Sequence, residues 1–430
     1  MFGTILDALM YPFLFFSLYF QIFLVISFIE KREKIKKEQY RPINIFPSLT
    51  VAVPCWNEEK TLGGTIESLL ALDYPMDKLK IVIVDDGSKD STLSIARSYE
   101  EKHPGLIFVM TKENGGKHTA MNLALLNCDT ELFGCLDADS FVQPNTLREI
   151  VSFFEADEKV MAVTPCIHIK SPTTIVQRMQ AVEYLLGVFI RKVYGELDAI
   201  QVTPGPFSIF KRKVFDIIGP YRKAHNTEDF EITLRMHKHH LKIVNAHRAT
   251  VYTYGPDTAR GFIRQHLRWA RGFLENALDY KEMFFKKEYG NFGMITLPVA
   301  FIFTFYEVYV FIYIIYHFID NIIVRLVRWN TVGLTFHMPT FDLFYATSSM
   351  IAFVGMVTFT MFIFVIVVAR ELTSDKQDFY KNFPIFFLLF PTFVGIYISR
   401  AVFDTLFRRK NQWVLQDNKG AFQIAKVHES

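Results

Sequence analysis

The fold class can be predicted from "LKIVIVDDGSKDSTLSIARSY", residues 79–99. It begins with an uninterrupted apolar run rich in β-branched residues, which is typical of a strand buried on both faces. The run ends at Asp85, Asp86 and Gly87, and the residues after this polar turn have the apolar spacing of a helix. A strand, a polar turn and a helix in this order indicate an α/β sheet, whose ligands bind at the carboxyl ends of its strands.

The same pattern occurs twice more along the chain. "FPSLTVAVPCWNEE" (46–59) contains a β-branched strand ending at Pro54, and "ELFGCLDADSFVQPNTL" (131–147) contains an apolar stretch ending in Asp137 and Asp139. Because each strand closes on a polar turn, we expect a mostly parallel sheet with carboxylates gathered at one edge.

The composition excludes one class of function and indicates a redox compartment. Half of the 430 residues are hydrophobic, and the net charge of +3 is too small to indicate nucleic-acid binding. The cysteines have no metal-ligand spacing and fit reduced thiols in a cytosolic domain; they are Cys55, Cys128, Cys135 and Cys166.

Long apolar blocks indicate a membrane protein. Residues 11–29 are uncharged and are followed at once by "EKREKIKK", so we expect a signal anchor with its N-terminus outside the cell. Two further blocks, 294–319 and 343–369, are also long enough to span a bilayer. Over two hundred residues of ordinary soluble composition separate the first block from the second.

A fourth apolar block, 384–399, is shorter and contains Pro391. We expect it to be an interfacial or re-entrant segment, because the basic stretch "LFRRKNQW" (406–413) then stays in the cytoplasm, as the positive-inside rule requires. The expected parts of the chain are therefore an anchor (1–30), a cytoplasmic domain (45–255), amphipathic interface helices (256–290), a transmembrane and interface bundle (291–404) and a cytoplasmic tail (405–430).

Two motifs of the soluble domain indicate a metal and a phosphate. Asp137 and Asp139 are two residues apart, so on an extended segment both point the same way and can bind one Mg²⁺ or Mn²⁺, although solvated loop carboxylates are the commoner explanation of such a pair. In "ENGGKHTAMN" (113–122) two glycines precede Lys117, whose charge suits a phosphate, although a simple turn is the alternative.

Two further motifs lie nearer the membrane blocks. "NTEDFEITLRM" (226–236) places Glu228 and Asp229 at the start of an amphipathic helix, where acidic residues are also favoured by the helix dipole; for Glu228 both interpretations stay open. "QHLRWARG" (265–272) sets Trp269 between two arginines, a combination that also suits a membrane interface.

Taken in order, the motifs Asp85-Asp86-Gly87, Asp137-Ala138-Asp139, Thr227-Glu228-Asp229 and Gln265-His266-Leu267-Arg268-Trp269 resemble those of inverting, membrane-embedded glycosyltransferases. That family includes the cellulose, chitin, hyaluronan and poly-N-acetylglucosamine synthases, and the resemblance covers about residues 48–275. It implies an α/β GT-A (Rossmann-like) cytoplasmic domain joined to an α-helical transmembrane bundle, and a UDP-sugar as the donor.

The resemblance also implies a role for individual residues. Asp229 would be the general base and Asp139 the ligand of Mg²⁺ or Mn²⁺, while Trp269 would stack on the acceptor sugar and Arg271 would remain an interface anchor. The donor site would include Pro54, Asn57, Glu58, Asp86 at the nucleobase, Lys117, Asp137, and Arg268 at the departing diphosphate. The acceptor site would include Gly205, Pro206 and Phe207 of "TPGPFSIFKR" (203–212), with Glu228, Gln265 and Trp269.

The second apolar block supports a link between synthesis and export. It carries many aromatic residues and one ionisable residue, Glu307, which fits either a polysaccharide channel or a lipid-facing helix with Glu307 paired to a neighbour. "QWVLQDNKG" (412–420) weakly resembles the gating loop of these synthases, without the expected threonine.

We therefore expect a multi-pass plasma-membrane enzyme whose catalytic domain lies in the cytoplasm. It is expected to extend and export a β-linked polysaccharide. UDP-N-acetylglucosamine is the expected donor, with UDP-glucose and UDP-glucuronate as alternatives. The competing hypotheses are a non-processive enzyme that adds one sugar to a lipid acceptor, giving a glycolipid, and a transporter or scaffold without catalysis. Membrane lipids and accessory membrane subunits are the other expected partners.

Overall fold

One mixed eight-stranded sheet organises the soluble part of the chain in the computed structural model, which describes residues 2–37, 43–333, 350–372 and 379–407. The strands are β1 (Leu49–Cys55), β2 (Leu79–Asp85), β3 (Ile107–Thr111), β4 (Leu132–Cys135), β5 (Ser140–Val142), β6 (Val160–Ile169), β7 (Ile209–Lys211) and β8 (Lys242–Thr253). Their order across the sheet is β3-β2-β1-β4-β7-β6-β8-β5. β1 to β4 are parallel, β6 and β8 are parallel to each other, and β7 and β5 pair antiparallel with their neighbours.

The continuous apolar runs become strands that are covered on both faces. In β2, the side chains of Ile81, Val82, Ile83 and Val84 have no exposed surface. Alternate residues enter two different cores, because successive side chains of a strand point to opposite faces. The α/β class predicted from residues 79–99 is confirmed.

Eight helices surround this sheet within the described residues. They are α2 (Leu62–Leu70), α3 (Thr92–Lys102), α4 (Lys117–Leu126), α5 (Thr146–Ala156), α6 (Ile175–Glu196), α7 (Lys213–Ile218), α8 (Glu228–Lys238) and α9 (Ala259–Asp279). One core joins the sheet to α2, α3 and α5, and the other joins it to α4, α7 and α8. Both α4 and α8 begin at the carboxyl edge of the sheet, which brings their first residues to the predicted site.

Four helices of the described part are long and apolar enough to cross a membrane, judged by length and composition. They are α1 (Phe2–Lys37), α10 (Leu297–Val332), α11 (Met350–Leu372) and α12 (Phe379–Leu406). The first three correspond to predicted spans.

The fourth helix corrects the prediction of a short, broken segment. α12 is one helix of 28 residues that continues through Pro384 and Pro391. A proline removes only one helical hydrogen bond, and the side chains around these two are packed in a large apolar cluster that keeps the segment helical. Its predicted place at the interface stays a prediction, and the proposed gating loop (412–420) lies outside the described residues.

That apolar cluster also joins the soluble domain to the apolar helices. It contains Leu24 of α1, Phe189 of α6, Phe262 of α9, Ile366 of α11 and Ala401 of α12. α6 and α9 are thus the elements on which the apolar helices rest, and α9 carries "QHLRWARG" between the sheet and the bundle.

The aromatic side chains of α10 mostly pack against other elements. Tyr306 and Tyr309 lie 5.0 and 4.9 Å, between ring centroids, from Phe13 of α1, and Phe303 lies 5.6 Å from Phe16. This packing between α1 and α10 accounts for these rings without a channel and was not anticipated from the sequence.

Candidate active site

Asp86 anchors the loop that brings the first residue of α4 into the site. Its carboxylate accepts hydrogen bonds from Lys112 Nζ (2.5 Å) and from the backbone N–H groups of Gly115 (3.0 Å) and Gly116 (2.8 Å). Gly116 has a φ of 89°, a left-handed conformation that favours glycine. Both oxygens of Asp86 therefore have protein partners, and its contact with a nucleobase stays a prediction. Lys112 was not predicted from the sequence, because it has no distinguishing local pattern.

Lys117 connects three motifs that are far apart in sequence. Its Nζ atom lies 2.5 Å from Asp137 Oδ1 and 3.4 Å from Glu228 Oε1. Burial alone would lower the pKa of Lys117, but the two carboxylates outweigh burial and raise that pKa well above its ordinary value. A Cβ added to Gly205 would lie 2.5 Å from the same Nζ, so a larger residue here would displace the lysine side chain. The structure thus brings three predicted site residues, Asp137, Glu228 and Gly205, around Lys117.

Asp139 lies at the start of β5, half-buried, beside other carboxylates. Its Oδ1 accepts from Ser140 Oγ (3.1 Å) and Thr253 Oγ1 (3.5 Å). Burial, followed by the charges of Asp137 and Glu58, raises the pKa of Asp139 to about 6. The charges of Asp137 and Glu58 favour a metal cation at Asp139 for the same electrostatic reason that they favour a proton, whereas burial favours only the neutral carboxyl group.

The ligand set fits a divalent metal shared with substrate. No group of three ligating side chains occurs in the described ranges, so these residues do not build a complete metal cage there. Mg²⁺ normally takes one or two carboxylates from the protein and its other ligands from water and substrate phosphates. Asp139, with Asp137 and Glu58 adding negative charge, meets that requirement.

A cleft of about 360 Å³ opens beside Asp139. Its lining joins the sheet edge to α9 and comprises Asp139, Tyr254, Gly255, Pro256, Gly261, Arg264, Gln265 and Arg268. The predicted residues Gln265 and Arg268 therefore share one cleft with the predicted metal ligand. Two lining residues were not predicted from the sequence: Tyr254, which is 43% exposed, and Arg264.

Asp229, in the first turn of α8, has the electrostatic properties of a general base. Burial, followed by the charge of Glu228, raises the pKa of Asp229 to about 6, while Lys117 and Arg268 oppose the rise. Burial also acts to raise the pKa of Glu228, but the charge of Lys117 outweighs it and the pKa of Glu228 is lowered. Two adjacent carboxylates thus differ in basicity, and Asp229 is the one suited to accept a proton near neutral pH.

The predicted residues of α9 are held from several sides. Gln265 Oε1 accepts from Gln180 Nε2 of α6 (2.8 Å), and Arg268 Nη1 donates to the backbone oxygen of Asn226 (2.8 Å). The Trp269 ring lies edge-on to His266, 4.9 Å between centroids. Arg268 was predicted to face a departing diphosphate, and the structure shows in addition that it holds the loop before Asp229.

Two predictions from the sequence need correction. Arg271 is buried and its Nε donates to Glu275 Oε1 (2.6 Å), so the interpretation as an interface anchor is wrong. Phe207 has no exposed surface and a φ of 61°, which turns its side chain into the main core. The Phe207 side chain therefore supports the turn, whereas Gly205 and Pro206 stay partly exposed.

The predicted donor residues of the β1 loop mainly organise that loop. Asn57 has a φ of 57°; its N–H donates to Ser88 Oγ (2.9 Å), and its Oδ1 accepts from Lys89 N (2.8 Å). Glu58 accepts from Thr61 Oγ1 (2.7 Å), and Pro54 lies at the end of β1, partly exposed. This loop thus ties the ends of β1 and β2 together at the edge where the other site residues gather.

The comparisons with known proteins agree with this arrangement. Residues 50–219 match the family described as glycosyl transferase family 2. These residues form a family 2 glycosyltransferase domain. The match begins in β1, ends just after α7 and contains Asp86, Lys117, Asp137, Asp139 and Gly205.

Relatives extend the likeness into the apolar helices of this glycosyltransferase. It is 26% identical over 365 residues to a poly-β-1,6-N-acetyl-D-glucosamine synthase of Staphylococcus epidermidis, covering 83% of this chain and 84% of the relative. It is 28% identical over 267 residues to the synthase of the same name from Staphylococcus aureus, covering 60% of this chain and 64% of the relative.

A solved structure confirms the fold. The mannosyltransferase PcManGT from Pyrobaculum calidifontis, in complex with GDP-Man and Mn²⁺, superposes with a TM-score of 0.53 at 19% identity, covering 92% of this chain and 100% of the other. The glycosyltransferase has the GT-A fold expected from its motifs.

Proposed function

We propose that this glycosyltransferase transfers N-acetylglucosamine from UDP-N-acetylglucosamine, with inversion, to the end of a growing β-linked polysaccharide. The observation that carries the proposal is the meeting of Lys117, Asp137 and Glu228 beside Asp229, at an edge that shares its cleft with α9. The names of its relatives, which match over most of the chain, support the sugar and the polymeric product.

The chain's own residues supply the proton transfer and the charge compensation. Asp229 removes a proton from the acceptor hydroxyl as that oxygen forms a bond to the anomeric carbon. The bond from the anomeric carbon to the diphosphate breaks, and its electron pair leaves with UDP. In the proposed mechanism Lys117 and Arg268 offset the charge of the leaving group, and Trp269 stacks on the acceptor sugar.

We include a bound Mg²⁺ or Mn²⁺ in this site, held by Asp139. When bound, the metal neutralises part of the negative charge of the sugar-nucleotide diphosphate. The negative charges of Asp137 and Glu58 near Asp139 support this assignment.

The position of the site supports a link to export. α9 carries the acceptor-side residues and packs through Phe262 against Phe393 and Tyr397 of α12, 5.5 and 6.4 Å between ring centroids. We therefore place the catalytic domain on the cytoplasmic face of the plasma membrane, with the apolar helices in contact with lipid.

Purified full-length enzyme in lipid nanodiscs tests the proposal. It is offered UDP-N-acetylglucosamine, UDP-glucose or UDP-glucuronate with divalent metal, and both UDP release and product size are measured. We expect a long polymer from the first donor, sensitive to a β-N-acetylglucosaminidase. A single-sugar glycolipid, or a polymer made only from another donor, would contradict the proposal.

Asp229→Asn tests the base in the same assay. It removes the proton acceptor while keeping size and most hydrogen bonding, so transfer should fall by about 10²- to 10⁴-fold with UDP binding retained. Asp216→Asn, at an exposed ion pair with Arg212, is the matched control and should behave as the wild type. Polymer synthesis by Asp229→Asn at the wild-type rate would rule out this residue as the base.

A further inference from the structure

The segment before the general base has an unusual backbone. Ala224, His225 and Asn226 have φ values of 45°, 55° and 64°, three consecutive left-handed residues without a glycine. L-residues rarely adopt this conformation, so it persists only where the surroundings hold it. Thr227 follows directly, and Asp229 is two residues further on.

One helix, α9, supplies contacts to all three of these residues. The backbone oxygen of Ala224 accepts from Asn276 Nδ2 (3.0 Å), and that of Asn226 accepts from Arg268 Nη1 (2.8 Å). Between them the His225 ring is held at both nitrogens, 2.9 Å from Glu275 Oε2 and 2.8 Å from Asp279 Oδ2.

The ring is charged at neutral pH in this setting. The hydrogen bond to Glu275, opposed by burial and assisted by Asp279, raises the pKa of His225 to about 9. A doubly protonated ring donates from both nitrogens at once, so it fixes its own orientation and that of the backbone that carries it.

The loop also lies directly on α9. Asn276 Nδ2 donates to Thr227 Oγ1 (2.9 Å), and a Cβ built on Gly272 would overlap the Thr227 side chain. The path from His225 to the base is therefore short and closely packed, and a shift of the loop would move Asp229.

We propose that His225, through its paired contacts with Glu275 and Asp279, is a positioning residue that sets the place of Asp229 relative to α9. This inference depends on the proposed role of Asp229 as the base. In the proposed mechanism His225 touches neither donor nor acceptor, so its removal should slow the chemical step and leave donor binding intact.

His225→Gly is the informative variant, because glycine keeps the left-handed backbone and removes only the ring. We expect kcat to fall by roughly 10- to 100-fold, as a misplaced catalytic group does, while the KM for UDP-N-acetylglucosamine and the affinity for UDP stay within about twofold. His240→Gly is the matched control: His240 is also an exposed histidine with a φ of 55°, but lies in the turn after α8. It should keep wild-type kcat.

Asp279→Asn is a second variant that leaves the backbone and the fold intact, because the Asp279 side chain is 61% exposed. We expect it to lower kcat about three- to tenfold and to add nothing in combination with His225→Gly, since the two act through one contact. Unchanged kcat in both single variants would overturn the inference. So would a loss that appears as weaker UDP binding, or losses that multiply in the double variant.

The assay separates this inference from the proposed function. A wild-type enzyme that transfers a different UDP-sugar contradicts the proposed donor, and the same variants are then compared with that donor. A wild-type enzyme that is active on UDP-N-acetylglucosamine, with His225→Gly equally active, contradicts only the positioning role.

Discussion

The pH dependence of transfer tests the electrostatics of the candidate base most directly. Because Asp229 must be deprotonated to accept the acceptor proton, activity should be lost as the pH falls through its pKa of about 6. If the base had the ordinary aspartate pKa of 3.8, the enzyme would stay active down to about pH 4. With the higher value, and with saturating metal keeping Asp139 ionised, the enzyme should retain about a tenth of its plateau rate at pH 5.

Glu228→Gln is the perturbation that identifies the group responsible. It removes a neighbouring negative charge that raises the pKa of Asp229. It also frees Lys117, whose positive charge lowers the same pKa. Both effects move the acid limb of the pH–rate profile, the range in which activity falls with falling pH, to lower pH. With a separation of about 6 Å assumed for the two carboxylates, Coulomb's law with an effective dielectric between about 80 and 20 gives roughly 0.7 to 2.8 kcal/mol, or about half to two pH units. The maximal rate of this variant can change as well, so the position of the limb is the quantity measured.

The assay is UDP release by full-length enzyme from pH 4.5 to 8 at saturating donor and metal. Asp139 also has a pKa raised to about 6, but the charges that raise it come from Asp137 and Glu58. Glu58→Gln is therefore the control, and it should leave the acid limb in place. An acid limb below pH 5 in the wild type, or one that Glu228→Gln does not move, would show that protonation of Asp229 does not set the pH dependence.

Three further predictions concern the support of the site. Gly272→Ala introduces a Cβ that overlaps Thr227, so we expect kcat to fall at least about tenfold with UDP binding retained. Gly187→Ala is the control, because its Cβ meets nothing within 4 Å, and it should keep the wild-type kcat. His266→Phe keeps an aromatic ring beside Trp269 but loses the bonds at both ring nitrogens, and it should raise the KM for acceptor oligosaccharide several-fold more than the KM for the donor. Excess chelator should abolish both UDP release and polymer formation, and re-added Mg²⁺ or Mn²⁺ should restore them; full activity in chelator would remove the metal role.

The sequence predicted those parts of the site whose signal is local. β2 is an unbroken apolar run that must be buried on both faces, and the turn at its end must then lie at the carboxyl edge. The same argument places Asp139, and both predictions needed only a few neighbouring residues. Metal binding by Asp139 and catalysis by Asp229 were read from a resemblance and stay proposals.

The predictions that failed depended on tertiary contacts or on a backbone angle. Phe207 looked like part of an acceptor site, but a φ of 61° turns its ring into the core, and no local pattern announces that angle. Arg271 looked like an interface anchor because its burial, unlike its i,i+4 spacing from Glu275, depends on tertiary contacts that the sequence does not show. α12 looked broken because its prolines are visible in the sequence, whereas the packing that keeps it helical is not.

α9 links the chemistry to the apolar helices because a single residue, His266, contacts both. The buried His266 ring lies 4.9 Å from Trp269 and 5.1 Å from Tyr397 of α12, and its Nε2 lies 2.9 Å from Glu183 of α6. A movement of α12 therefore cannot leave the position of Trp269 unchanged, since close-packed interiors transmit displacement from one side chain to the next. The same helix also holds the loop before Asp229 through Arg268 and Asn276, so Trp269 and Asp229 are supported by one element. If Trp269 stacks on the acceptor and Asp229 is the base, as we propose, a displacement of the polymer would act on the helix that positions the base.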